Sequence, residues 1–306
     1  MKKRIFLLEA GPDFEDYKKF AGVFAKLDEN TMSKILSPDV EIVHKSCPPG
    51  MWKAPHTTID YFMNCLQLPS YCKGALEAEQ EGADAIIIVC TDDPGLRWVR
   101  QLVDIPVIAE YESTLHIACM MGFKFGVISW PTRPFMARAE LLIRQYGLEA
   151  NACTNPIEPL LEPGPDAERE LALNGYTDPP AFCKKYLIPA AQKLIKRGAE
   201  VIVMDSTGLS LLADNGGISQ IDDVDVPVKT KNHAVPVLNC LSVSIKMAEL
   251  MIDLRRATGI PPVSRIGLYQ KPQDQTSQAD FDMYRQFAEK DWQPLPMPPL
   301  PKPKTK

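Results

Sequence analysis

Two stretches of the chain align without gaps: GADAIIIVCT at positions 82–91 and GAEVIVMDST at positions 198–207. Each contains a run of apolar, largely β-branched residues, which is typical of a strand buried on both faces of a parallel sheet. The alignment places Cys90 opposite Ser206. The sequence therefore predicts an internal repeat in which each copy contains one such strand.

Other short apolar runs accompany the repeated strands. In the first half of the chain they lie at 4–8, 40–44, 85–89 and 107–109. Because longer segments with helical patterns separate these runs, we expect an α/β fold with parallel sheets covered by helices on both faces. Residues 124–129 resemble 4–9 in pattern, and residues 236–238 resemble 106–108. The sequence therefore predicts two pseudo-symmetric, doubly wound parallel-sheet domains.

A second register of the repeat competes with this one. Residues 224–228 resemble 103–107, and they could replace 236–238 as the last strand of the second copy. The helix-like segment that starts at Ser242 favours the register through 236–238. We therefore take that register as the prediction.

This register gives an expected domain division. The first domain comprises residues 1–120 plus about 241–270, the second comprises 121–240, and residues 271–306 form a proline-rich C-terminal tail. Repeated prolines in the tail favour extended polyproline II and exclude helix. Such a tail suits a linker, an arm laid on a partner subunit, or a disordered segment.

Composition and charge exclude several classes of protein. The chain has 306 residues, of which 45% are hydrophobic and 24% charged, as is usual for globular proteins. With 34 basic and 39 acidic residues the net charge is -5, so no basic surface for nucleic acid or anionic lipid is indicated. Its apolar runs are far shorter than the roughly 20 residues of a membrane helix. Since the start also lacks a signal-peptide apolar region, we expect a cytoplasmic protein without nucleic-acid or membrane partners.

The cysteines and histidines do not indicate a metal site. The chain has eight cysteines and four histidines, which form neither a CxxC nor an HExxH motif. In a chain without a leader, the cysteines are expected to be reduced thiols.

We expect the active site where the repeated strands end. In doubly wound sheets ligands bind beyond the carboxyl ends of the strands, and Cys90 and Ser206 both occupy that position. Pseudo-symmetric halves would place the two side chains across one cleft between the domains. Helices are expected to start directly after them, within 91–95 and 207–210. A helix start would lower the pKa of the Cys90 thiol from about 8.5 towards neutrality and suit it to proton transfer at carbon.

Several segments resemble a known family. They are residues 82–96 around Cys90, 104–108, 115–118 and 198–209. Together they resemble hydantoin racemase, of the aspartate/glutamate racemase superfamily, and the likeness covers roughly residues 1–270. The resemblance implies a cofactor-independent, oligomeric enzyme in which two thiols on opposite faces of a small-molecule substrate exchange a proton at an acidified carbon. Cys90 matches the first thiol, and Ser206 stands where these racemases have the second.

The serine leaves three functions open. The first is a racemase or epimerase acting on a hydantoin or an amino-acid-like substrate, with Cys90 as one acid/base and Ser206, assisted by Asp205, as the other. The second is a single-thiol enzyme of the decarboxylase or maleate isomerase kind. The third is a degenerate binding protein, or a hydrolase that uses Asp205 and Ser206 with His116 or His233, although no GxSxG motif supports the hydrolase.

Further polar residues near the predicted strand ends are candidates for substrate binding. The amides of Thr91 and Thr207 could stabilise an enolate oxygen. The full set of substrate-binding candidates is Thr91, Asp92, Thr207, Gly208, Ser129, Thr132 and Glu9.

Overall fold

The computed structural model describes residues 2–9, 22–47, 61–164, 166–222 and 234–271. Within these ranges the protein has two separate sheets with helices between the strands, which confirms the predicted α/β class. No helix in the described part of the chain is long and apolar enough to cross a bilayer.

The first sheet has four parallel strands in the order β2-β1-β3-β4. They are β1 (Lys3–Glu9), β2 (Val40–Ser46), β3 (Ala85–Val89) and β4 (Val107–Ala109). The central strand β3 carries the AIIIV run, and its first four residues are fully buried. Such continuous burial is possible because helices cover both faces of the sheet.

The second sheet has five strands in the order β6-β5-β7-β9-β8. They are β5 (Phe125–Ser129), β6 (Ala152–Pro159), β7 (Val201–Asp205), β8 (Gln220–Ile221) and β9 (Val235–Leu238). Without β8 the order matches that of the first sheet, which confirms the predicted pseudo-symmetry. The prediction that all strands are parallel is wrong only for β8, a two-residue edge strand that runs antiparallel to β9.

Helices connect the strands along the chain. The α-helices are α1 (Gly22–Ile35), α2 (Tyr61–Gln80), α3 (Leu96–Leu102), α4 (Glu110–Met121), α5 (Arg133–Gln145), α6 (Ala167–Glu170), α7 (Pro179–Phe182), α8 (Ile188–Lys196), α9 (Thr207–Asn215) and α10 (Cys240–Thr258). Two π-helical turns, Leu171–Gly175 and Cys183–Leu187, and one 3-10 turn, Glu149–Asn151, complete the helical elements.

The register of the repeat follows from β9. This strand pairs with β7, as β4 pairs with β3, and each is followed at once by a helix. Residues 235–238 therefore form the last strand of the second copy, which confirms the favoured register. The competing segment 224–228 lies outside the described residues.

Helices α4 and α10 each cover the sheet of the other half of the chain. Helix α4 follows the first sheet, yet its Tyr111 and Leu115 pack with Val203 of the second sheet. Helix α10 follows the second sheet, yet its Ile245 packs with Ile87 of the first sheet. The two helices also contact each other. We call this arrangement the helix exchange.

The helix exchange bears on the expected domain division. That division assigns both α4 and α10 to the first domain, and α10 does pack on the first sheet. The apolar side chains of α4 instead belong to the core of the second sheet. The boundary near residue 120 stays a prediction, and apart from Lys271 the proline-rich tail lies outside the described residues.

Candidate active site

The carboxyl ends of β3, β4 and β7 meet where the two halves touch. Cys90 follows β3, Glu110 follows β4, and Ser206 follows β7. The Thr207 hydroxyl donates a hydrogen bond of 2.7 Å to Glu110 Oε2, which joins the second half to the first. The two predicted positions, Cys90 and Ser206, therefore both lie at the contact between the halves.

Cys90 lies in a turn and not at the start of a helix. The Asp93 amide donates to the Cys90 carbonyl over 2.9 Å, and α3 begins only at Leu96, with Gly95 as its N-cap. The predicted helix start within 91–95 is wrong because Asp93 has a φ of 46°, a left-handed conformation that a helix cannot contain.

The Asp93 carboxylate caps a different helix. It accepts hydrogen bonds from the amides of Tyr111 and Glu112 in the first turn of α4, at 2.9 and 2.8 Å. It also accepts a bond of 2.5 Å from the Tyr146 hydroxyl. Burial nevertheless raises the pKa of Asp93 to about 7. Asp93 thus holds the turn after Cys90 against α4 and α5.

The expected lowering of the Cys90 pKa is wrong. The thiol is only 8% exposed, and burial raises its pKa well above the ordinary value. The Asp92 carboxylate raises it further, whereas the guanidinium of Arg138 acts in the opposite direction. Cys90 is therefore a thiol at neutral pH.

Asp92 forms a buried ion pair with Arg138. Asp92 belongs to the turn after β3, whereas Arg138 belongs to α5 beside the second sheet, and both side chains are at least 95% buried. Asp92 is therefore already paired with a cation, although the sequence placed it among the substrate-binding residues. The sequence did not single out Arg138. The feature that could have identified Arg138 is its position on the buried face of α5, among the apolar residues Phe135, Ala139 and Leu142.

Ser206 caps α9. Its half-buried hydroxyl accepts a bond of 3.1 Å from the Gly208 amide, and α9 begins at Thr207 as predicted. The Gly208 amide is engaged in this cap, and the Thr207 hydroxyl in the bond to Glu110. Of the expected binding groups, these two are therefore engaged in hydrogen bonds within the protein.

Asp205 does not assist Ser206. Its carboxylate accepts a bond of 2.7 Å from the Ser129 hydroxyl, because β5 and β7 are paired in a register that sets Ser129 beside Asp205. Among the described residues the only side-chain hydrogen bond of Ser206 is the one to Gly208. The predicted activation of Ser206 by Asp205 is therefore not found. Burial raises the pKa of Asp205 well above its usual range, and the Ser129 hydroxyl offsets part of that rise.

Glu9 lies at the end of β1, as predicted. One of its carboxylate oxygens is 2.8 Å from Nδ1 of His44 on the neighbouring strand β2. This places an acidic group at the same edge of the first sheet as Cys90.

Unpartnered polar atoms gather around the strand ends. In the described part of the chain, such atoms belong to Gln67, Tyr71, Glu110 and Thr132, and to Thr91, whose hydroxyl lies near the Asp205 carboxyl group. Thr91 and Thr132 are predicted binding residues, whereas Glu110 was missed. Buried polar groups in proteins are nearly always paired, so a cluster of unpaired ones indicates a place for a ligand or water.

A cavity of about 540 Å³ adjoins this region. Its lining includes Asp92, Asp93, Arg138, Trp98 and Tyr269. Neither Cys90 nor Ser206 lines this cavity, so it shares the turn after Cys90 without containing the strand ends themselves. In the described ranges no group of three or more His, Cys, Asp or Glu side chains is arranged to hold a metal ion.

Comparison with known proteins assigns this arrangement to a family. The family model described as Asp/Glu/hydantoin racemase matches residues 23–230. The chain belongs to this family. A hydantoin racemase of Pseudomonas sp. (strain NS671) is 26% identical over 248 residues, which cover 80% of this chain and 85% of that protein. A hydantoin racemase of Rhizobium meliloti is 28% identical over 212 residues, covering 68% and 74%.

The fold comparison agrees with the family. The structure of allantoin racemase from Klebsiella pneumoniae superimposes with a TM-score of 0.65 at 20% identity, covering 89% of this chain and 94% of that one. At this identity the likeness concerns the fold. Together with the family match, it makes the protein an isomerase of the racemase type and confirms the resemblance drawn from the Cys90 segment.

Proposed function

We propose that this racemase moves a proton at an acidified carbon held between the ends of β3 and β7. Cys90 is the acid/base on one face of the substrate, and Ser206 lies at the opposite face. The observation that carries the proposal is the equivalence of the two positions: each directly follows the repeated strand of its half, at the contact between the halves.

The proposed substrate carries its exchangeable hydrogen next to one or two carbonyl groups, as in a 5-substituted hydantoin or an amino-acid-like molecule. Support comes from the relatives, which are named hydantoin racemases. The unpartnered hydroxyl of Thr132 offers a hydrogen-bonding group for its polar edge, and the Thr91 hydroxyl near Asp205 offers a second. We propose that no cofactor takes part, because a carbon beside carbonyl groups is acidic enough for side-chain bases.

The electrostatics of the turn suggest how Cys90 is used. The buried thiol is protonated at neutral pH, so it is ready to donate a proton to a planar enolate. To remove a proton it must first become a thiolate, and the nearby Arg138 guanidinium stabilises that form. Removal of the α-proton by Cys90 therefore depends on the Asp92–Arg138 pair.

A second candidate function is protonation from one face only. It is favoured by the engagement of Ser206 in the cap of α9, where its oxygen accepts the Gly208 amide. A hydroxyl is a far weaker acid than a thiol, and no base contacts it among the described residues. A hydrolase using Ser206 and Asp205 lacks support, because Asp205 bonds to Ser129.

Proton NMR in heavy water tests the proposal. The wild type and Cys90→Ala are incubated with single enantiomers of several 5-substituted hydantoins and amino acids, and with substituted malonates. We expect the α-proton signal to disappear with the wild type and to persist with Cys90→Ala. Cys153→Ala, which alters a buried thiol on β6, is the matched control and should behave like the wild type.

The chirality of the product separates the candidates. Formation of both enantiomers supports racemisation, and a single product enantiomer supports the one-face reaction. Exchange that survives in Cys90→Ala would overturn the role of this thiol.

A further inference from the structure

Glu110 connects the first half of the protein to the Ser206 side of the site. It is the first residue of α4 and directly follows β4. Its Oε2 accepts the 2.7 Å hydrogen bond from Thr207, the residue after Ser206. Glu110 is completely buried, whereas Thr207 is half-buried. Thr207 thus directly follows the Ser206 position, and its hydroxyl is bonded to a buried carboxyl group.

The second oxygen of Glu110 is unusual. Oε1 is buried and makes no hydrogen bond of normal geometry with the described residues, although the Cys240 thiol lies close to the carboxyl. Burial raises the pKa of Glu110 to about 8, and the Thr207 hydroxyl offsets part of that rise. The other titratable groups that influence this carboxyl are Glu9 on β1, Cys90 and Asp93 after β3, and Cys240 on α10.

Glu110 is fully buried and forms no ion pair with the described residues, and the acidic Asp93 and Glu9 add to the effect of burial, so Glu110 retains a proton at neutral pH. The carboxyl is thus a proton donor within reach of the Ser206 side, where the sequence offers only a hydroxyl in place of a thiol.

We propose that Glu110 holds the proton for the Ser206 face of the site and exchanges it with the substrate through the Thr207 hydroxyl. Glu110 acts through Thr207 and is therefore a positioning residue. The inference rests on the proposed function, because it supplies the second proton donor that a racemase needs.

The step balances in both directions. The Cys90 thiol first releases its proton to solvent; the thiolate then takes the α-proton from one face, the C–H electrons pass to the adjacent carbonyl, and an enolate and a thiol result. On the opposite face the Thr207 hydroxyl, which otherwise donates to Glu110 Oε2, turns to the carbon and gives it a proton, while the Glu110 carboxylic acid donates its own proton to the Thr207 oxygen. The site ends with a Cys90 thiol and a Glu110 carboxylate, which is the form that converts the other enantiomer back.

Glu110→Gln tests the inference with almost no change of shape. Each enantiomer of 5-benzylhydantoin is incubated with the variant in heavy water, and α-proton exchange and inversion are followed separately. Because Cys90 can still exchange the proton on its own face, we expect exchange of one enantiomer to persist. Conversion to the opposite enantiomer should fall about 100-fold or more, the usual contribution of a general acid or base. The limb of the wild-type pH profile near pH 8 should also disappear.

Two further variants make the outcome decisive. Thr207→Val removes the hydroxyl that relays the proton and leaves Glu110 in place. In this variant, too, α-proton exchange of one enantiomer should persist while inversion falls. Glu158→Gln neutralises another buried carboxylate, paired with Lys193 and Arg197 at the end of β6, and should leave both rates unchanged.

The inference is overturned if folded Glu110→Gln inverts the substrate at the wild-type rate, or if exchange and inversion fall together in both Glu110→Gln and Thr207→Val. In these cases the wild type still exchanges the proton, so the proposed function stands. Failure of the wild type to exchange any α-proton would instead remove the proposed function and this inference with it.

Discussion

Arg138 of α5 forms a buried ion pair with Asp92, two residues after Cys90, and thereby ties the second half of the protein to the turn that holds the thiol. Burial is the main reason for the raised pKa of Cys90; Asp92 raises this pKa further, and Arg138 lowers it. The pair therefore holds the turn in place and contributes to the charge state of Cys90.

Removing one partner of this pair should destabilise the fold. We expect Arg138→Met to lower the free energy of unfolding by about 3 to 5 kcal/mol, because it leaves the Asp92 carboxylate buried without a cation. Urea denaturation followed by circular dichroism measures the loss. Arg144→Met on the same helix breaks an exposed pair with Glu140 and should cost less than about 1 kcal/mol. Equal losses of unfolding free energy in the two variants would contradict the assignment of Asp92 and Arg138 as a buried ion pair.

The reactivity of Cys90 should report its raised pKa. We expect alkylation of Cys90 by iodoacetamide to be slow at pH 7 and still to increase above pH 9, because only the thiolate reacts. Mass-spectrometric peptide mapping separates Cys90 from the other cysteines. In Arg138→Gln the alkylation rate of Cys90 should begin to rise at a higher pH than in the wild type. A rate that is already maximal at pH 7 would show that the free enzyme holds Cys90 as a thiolate.

The pH dependence of stability should include a contribution from Asp93. Its pKa in the folded protein is about 7, above the ordinary value of 3.8, so the folded state binds more protons than the unfolded state between these values. Stability due to this group is fully present below pH 3.8 and is lost as the pH rises to about 7.

Asp93→Asn removes this titration but keeps an oxygen that can cap α4. We expect the slope of unfolding free energy against pH, between pH 4.5 and 7, to be less negative in the variant, by up to about 1.4 kcal/mol per pH unit. Urea denaturation at several pH values measures the slope. Asp178→Asn, at the exposed N-cap of α7, is the control and should leave it unchanged. Identical slopes for all three proteins would assign the proton to another group.

Restoring a thiol opposite Cys90 should favour two-way proton transfer. We expect Ser206→Cys to increase the rate of racemisation roughly tenfold or more, since a thiol is a much better acid/base than a hydroxyl near neutral pH. Polarimetry with each enantiomer of a 5-substituted hydantoin measures the gain. Ser206→Ala should show none. If Ser206→Cys is no faster than the wild type, the site is adapted to one-face chemistry.

Much of the fold could be predicted from the sequence, because its central strands are continuously apolar. The runs in β3 and β7 indicate buried parallel strands by themselves, and their alignment fixes the equivalence of Cys90 and Ser206. The N-cap role of Ser206 was also predictable, since it is a local property of the residues that follow it.

The polar interior of the site could not be predicted in the same way. A helix was expected to start within 91–95, but Asp93 in that segment caps α4, which lies against it in space. Asp205 was expected beside Ser206, whereas strand pairing sets it beside Ser129. Such long-range partners depend on how strands and helices meet, and no local pattern of the chain encodes them.

The helix exchange makes the two halves of this racemase mutually dependent. A polypeptide ending before β5 would carry a sheet whose covering helix α10 is missing, and a helix α4 with no sheet to cover. Neither half can therefore bury its own apolar surface when separated from the other. Unfolding should proceed as one cooperative transition despite the duplicated architecture, and a chain cut between α4 and β5 should regain activity only when both fragments fold in each other's presence.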